Sequence, residues 1–245
     1  MERGVGEATG PASGWIGRHL ATLENGNSSP LRAIGLGAQV QRSLQGAVPA
    51  AALRSITDFH LGGDPRAAAR FRAALATLYA GDAPLDAKGR ETLELLDTLD
   101  TLDPATYRPG HEARYPASDF GMALKQVAML VKAEVGLEVA CVDVGGWDTH
   151  IAQGGVEGAM AALLRDLAAG LAALHADLLD QADRLLVVTL SEFGRRAAEN
   201  GGRGTDHGHG ECDVADGRWG GRGGGCMGSG RGWRGNNWWG RGIWR

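Results

Sequence analysis

Cysteine is scarce in this chain. Cys141, Cys212 and Cys226 are the three among 245 residues, too few for a disulfide framework, and Cys141 sits in an apolar run as a small core residue. Long apolar runs are also missing. No stretch approaches the roughly 20 apolar residues that cross a bilayer, so no membrane span is expected. Residues Met1 to Gly6 lack the apolar segment of a secretory signal. Charge bias is weak. A net charge of −4 argues neither for a nucleic-acid partner nor for a strongly acidic surface.

What is present belongs to an ordinary globular protein. The hydrophobic share of 43% and the charged share of 22% allow a buried core, in one large domain or two small ones. Residues 1–12 are polar and Gly-rich and read as a disordered leader. An α/β domain then extends over 13–210. Ser13 is placed to cap a helix over Gly14–Leu23, and Leu31–Leu36 and Leu53–Ile56 are short strand candidates. Asp64-Pro65 starts a helix that runs to about Ala80, because a carboxylate caps free N–H groups and proline suits the first turn. A second helix begins near Pro84 and carries Leu93, Leu95, Leu96 and Leu99. A third runs from Ser118 to about Val135.

The organising stretch runs from Leu137 to Gly210. Leu137–Val144 and Arg184–Leu190 read as buried strands, joined by a helical pattern from about Val156 to Asp180. Parallel strands linked by such a crossover place both following loops at one carboxyl edge of the sheet. Asp148, His150, Glu192, Asp206, His207 and His209 are therefore expected to converge there. The fold expectation is α/β with a mostly parallel sheet.

Residues 211–245 differ in kind. They hold twelve of the 40 glycines, five of the seven tryptophans and six arginines, without helical or alternating period. One reading is an Arg-Gly segment that binds RNA. The preferred one is a disordered tail translated out of frame. Codons can be chosen for Cys226–Trp239 whose bases, read one base earlier, spell an ordinary protein-like sequence.

Several blocks carry a resemblance. Gly145-Gly-Trp-Asp-Thr-His150 with Gln153, Thr189-Leu-Ser-Glu-Phe-Gly-Arg-Arg196, Glu199-Asn200 and Gly204-Thr-Asp-His-Gly208 follow in order, preceded by Ser13–Arg18 and Tyr115–Lys125. Over about residues 10–210 the chain resembles the domain-of-unknown-function 1501 family. That resemblance implies an alkaline-phosphatase- and sulfatase-like, three-layer αβα fold with metal ligands on loops after parallel strands. It also implies export of full-length members. The region where the superfamily's nucleophilic Ser or Thr lies precedes Ser13 in this family, so an incomplete domain and an inactive chain are expected. The superfamily's Asp-His-Gly ends a strand, whereas Ser191–Gly194 stands in that place here and Asp206-His207-Gly208 follows later.

Carboxylates and imidazoles on adjacent loops are what a hydrolytic metal centre needs. Asp148, His150, Asp206, His207 and His209 are the candidate ligands of a divalent ion. Glu192 is a ligand or catalytic base, Arg195 an anion contact, and a small phosphate or sulfate ester the implied substrate. The alternative is that these residues tie two loops together: Asp148 accepting backbone N–H bonds, His150 a hydrogen-bonded imidazole, Glu192 paired with Arg195 or Arg196. A non-catalytic exported binding protein would then be built on the same scaffold.

Overall fold

A computed structural model describes residues 12–62, 64–217 and 225–229. The chain divides into two compact units. The first comprises Met1–Arg108 with Met122–Asp143, the second Pro109–Gly121 with Val144–Arg245.

The first unit is built on three short parallel strands, β1 (Ala33–Leu36), β2 (Ala51–Leu53) and β3 (Val139–Val142), in the order β2-β1-β3. Every residue of the central β1 is buried, as expected for a strand covered on both faces. Around the sheet lie α1 (Trp15–Ala21), α2 (Pro65–Leu78), α3 (Pro84–Asp100) and most of α4 (Asp119–Lys132). Leu31, Ile34, Leu53 and Leu130 are fully enclosed, and Leu95 and Leu99 of α3 pack into the same core. The start of α2 is the expected one: Asp64 accepts the N–H groups of Arg66 and Ala67 at 2.9 and 3.1 Å, with Pro65 in the first turn. The helix near Ser13 begins later than expected, with Gly14 at its cap. The second strand ends at Leu53, where the sequence pattern begins it.

A half-buried ion pair ties the start of β1 to the segment entering β3. The Nε of Arg32 stands 2.9 Å from the carboxylate of Glu138, and Asn25 and Asn27 donate to the same carboxylate at 2.7 Å each. Burial pushes the Glu138 carboxyl up, but the hydrogen bonds from Asn27, Arg32 and Asn25 outweigh it and hold it below its ordinary value.

The second unit holds α5 (Ala159–Asp177), β4 (Leu186–Val188), β5 (Gly194–Glu199), β6 (Thr205–Gly208), β7 (Glu211–Gly217) and β8 (Gly225–Ser229). Asp177 is 1% exposed. It accepts the Gly110 N–H at 2.6 Å and the Tyr115 hydroxyl at 2.8 Å, so the 109–121 segment is pinned to the end of α5. At 19 residues, α5 is long and apolar enough to cross a bilayer by length and composition alone. Arg165 and Asp166 interrupt the helix near its middle.

Among the described residues no strand pairing joins β3 to β4 in one sheet, as the expected crossover requires. β3 pairs with β1, whereas β4 pairs antiparallel with β7, which pairs antiparallel with β8. Among the described residues one sheet is parallel and two are antiparallel. The molecule is an α/β mixture with a small parallel sheet, rather than one mostly parallel sheet. An apolar run such as Leu185–Leu190 shows that a strand exists and says nothing of its partner. A partner about 30 residues away closes a shorter loop than one on the far side of a helix. Thr189 reinforces that choice, accepting the Val214 N–H on its hydroxyl at 2.7 Å. Of the stretch from 211 onward, Glu211–Gly217 and Gly225–Ser229 are strands; residues 218–224 and 230–245 lie outside the described residues.

Candidate metal centre

Asp148, His150, Arg195, Asp206 and His207 lie on two pieces of the second unit: the loop 147–153 and the β5–β6 hairpin. The loop is bent by two successive short turns, Thr149 N–H to the Trp147 carbonyl at 2.9 Å and His150 N–H to the Asp148 carbonyl at 3.1 Å. Two such bends bring alternate residues to one side. The Nε2 of His150 stands 2.9 Å from the Oδ1 of Asp148.

The hairpin is where sequence reading expected a loop. Gly194 faces Gly208 and Arg195 faces His207, with an irregularity before Glu199 meets Thr205. The loop joins its turn as a further extended segment. Ala152 and Gln153 donate to the carbonyls of Gly202 and Arg203 at 2.9 and 3.0 Å, and Ile151 bridges Arg203. The hydroxyls of Thr149 and Thr205 both donate to the Gln153 side-chain oxygen, at 3.0 and 2.8 Å. Gly204 is buried in this junction, and a Cβ there would stand 2.3 Å from the His150 carbonyl oxygen. No side chain fits.

This junction carries His207 to Asp148, whose Oδ1 lies 2.8 Å from its Nε2. Asp148, His150 and His207 each offer one donor atom, all within 4.8 Å of one another. Their side chains are 56%, 41% and 52% exposed, so the point they surround is open to small molecules. Phe193 stacks on the His207 ring at 4.4 Å and an interplanar angle of 11°, and His150 stacks on it at 5.0 Å and 28°.

Asp206 does not join that group. Its Oδ1 lies 3.2 Å from the Nδ1 of His150, on the opposite nitrogen from the one facing Asp148. Neighbouring residues of a strand point to opposite sides, which is why His207 enters the cluster directly and Asp206 stands behind His150. His209 and Glu192 are exposed, and no hydrogen bond or ion pair among the described residues brings either to the cluster. Arg195 is near but occupied. It donates to the Trp147 carbonyl at 2.5 Å, to the Thr205 hydroxyl at 2.8 Å and to the Thr205 carbonyl, and its guanidinium lies 3.3 Å from Asp148. It fastens the loop to the hairpin.

Both carboxylates are held below their ordinary values. For Asp148 the hydrogen bond from His207 is the main cause, helped by the charges of His150, His207 and Arg195. For Asp206 the hydrogen bond from Asn200 leads, followed by that from His150. Each therefore stays ionised at neutral pH, as a cation ligand or a histidine partner must.

The supporting residues Phe193, Asn200 and Thr205 escaped functional notice in the sequence. One signal was available: an Asn followed by Gly-Gly-Arg-Gly predicts a side-chain-closed turn. Asn200 makes that turn, accepting the N–H groups of Gly202 and Gly204 at 2.8 and 3.1 Å.

Compared with known families, the chain matches over residues 2–228 the family described as protein of unknown function (DUF1501). The match continues past Gly210, where the resemblance read from the sequence ends. No curated protein and no solved structure matches it.

Proposed function

Because this chain belongs to the DUF1501 family of proteins of unknown function, we propose that its chemistry resides in a divalent-cation site formed by Asp148, His150 and His207. The ancestral activity in this reading is hydrolysis of small phosphate or sulfate esters on an alkaline-phosphatase-like scaffold. The observation that carries it is the division of His150 between two carboxylates. Nε2 faces the cluster at Asp148 and Nδ1 faces Asp206. A metal-ligating histidine characteristically has its second nitrogen on a carboxylate, which fixes the ring and raises its basicity.

The donor set fits such an ion. Two imidazole nitrogens and one carboxylate oxygen suit Zn²⁺ and other divalent transition ions. Asp148 lies 2.8 and 2.9 Å from the two rings, and the three donor atoms lie within 4.8 Å of one another, near enough to share one ion. When bound, a divalent cation polarises a phosphoryl or sulfuryl oxygen and lowers the pKa of bound water. The chain's own residues do the rest. Asp148 supplies negative charge, Asp206 orients His150, Phe193 stacks on His207, and Arg195 holds the loop. Glu192, immediately before Phe193, is the exposed carboxylate we assign as base.

A second reading has its own support. Asp148, His150, Asp206 and His207 are already joined to one another by hydrogen bonds, and such a clasp holds a loop on a hairpin without any ion. The protein would then be a binding or assembly scaffold. Calorimetric titration of the full chain with Zn²⁺ and Mn²⁺ separates the two. About one equivalent bound, and lost in the Asp148→Ala/His207→Ala pair, supports the metal site. Absence of binding, with folding unchanged in that pair, leaves the scaffold.

A further inference from the structure

We infer that Asn200 is the positioning residue of this site: its amide sets the His150 ring by holding Asp206 on one side and the His150 backbone on the other. Its consequence for cation binding rests on the metal reading above; the positioning itself does not.

Asn200 has two N–H donors and one oxygen with two lone pairs, and all four are used. Nδ2 donates to Asp206 Oδ1 at 2.7 Å and to the His150 carbonyl at 3.0 Å. Oδ1 accepts from the Gly202 and Gly204 N–H groups at 2.8 and 3.1 Å. The orientation of the amide follows from these partners. Turned over, it would set its oxygen against a carbonyl and a carboxylate, and its N–H₂ against two N–H groups.

The two ends do different work. The oxygen closes the turn between β5 and β6, and the Asn200 backbone N–H adds a bond to the Gly204 carbonyl at 2.9 Å. The N–H₂ reaches across to the other piece of chain. It grips the backbone of His150 while holding the oxygen that faces the Nδ1 of the same residue. Main chain and ring of His150 are thus referred to one rigid group, on the element that also carries His207. Two separate segments thereby acquire a fixed relation at the point where a cation needs one, and small errors in ligand placement are costly.

The test separates the two ends. Asn200→Asp keeps the oxygen that closes the turn and replaces both donors by an acceptor; Asn200→Ala removes both ends. In the metal-free full chain, the ring ¹⁵N signals of His150, assigned with His150→Gln, are expected to shift in both variants. Those of His207 are expected to stay in Asn200→Asp. With Zn²⁺ as the probe, Asn200→Asp is expected to weaken binding about tenfold, the low end for loss of an outer partner. Unmoved His150 signals in both variants overturn the inference. Equal movement of both rings in Asn200→Asp, with loss of the turn's amide signals, also overturns it and leaves Asn200 a structural residue. If the wild-type chain takes up no Zn²⁺, the metal reading fails, and the ring signals still decide the positioning.

Discussion

The Nδ1 of His150 stands 3.2 Å from the Oδ1 of Asp206, so a residue adjacent to one cluster member serves as the outer partner of another. Replacing Asp206 by Ala removes that partner and leaves the three donor atoms in place. Zn²⁺ affinity measured by calorimetry is expected to fall about 10- to 100-fold. An unchanged affinity would remove Asp206 from the site altogether.

Gly204 tests the junction of loop and hairpin. A methyl group there meets the His150 backbone at 2.3 Å, and backbone cannot swing aside as a long side chain can. Gly204→Ala is expected to cost about 1–3 kcal/mol by forced displacement. Thermal unfolding reads it, and a melting temperature equal to wild type contradicts the packing described.

Acid should loosen the cluster late. Asp148 and Asp206 are both held below the ordinary 3.8 of an aspartate. A depressed folded-state value means their contribution is full above the unfolded value and is lost as pH falls through the folded one. Protection of the Gln153 and Thr205 amides from hydrogen exchange should therefore persist down to the ordinary carboxylate range and fail only below it. Carboxyl titration by NMR that places Asp148 at or above 3.8 would contradict this order.

The ion pair of the first unit is tested separately. Glu138→Ala leaves Arg32 largely enclosed and without its carboxylate, and Asn25 and Asn27 without their shared acceptor. Removing one member of a buried pair costs about 3–5 kcal/mol; partial exposure of Glu138 brings the expected loss to about 2–3 kcal/mol. Urea denaturation measures it, and a loss under about 0.5 kcal/mol would show the pair to be solvent-screened.

Legibility followed the range of the interaction. Leu93, Leu95, Leu96 and Leu99 recur at helical spacing and are buried in α3, because helix periodicity is written within one turn of chain. Asp64 announced the start of α2 by the same local logic. Asp148, His150 and His207 were legible as chemistry, since few other loops hold so many ligand-type side chains. Their allotment was not legible. Asp206 and His207 look equivalent in sequence, and the alternation of the strand that carries both, set against the loop opposite, decides that one enters the cluster and the other stands behind it.

Taken alone, the sequence determined the helices, the existence of the apolar strands and the residue types available for a cation, because those depend on neighbours a few positions apart. Tertiary structure decided that β4 pairs antiparallel with β7, that Gly194–Gly208 is a hairpin, and that Asn200 spans its turn and the His150 loop. Backbone N–H and C=O groups are the same at every residue, so the chain cannot declare beforehand which distant segment will satisfy them.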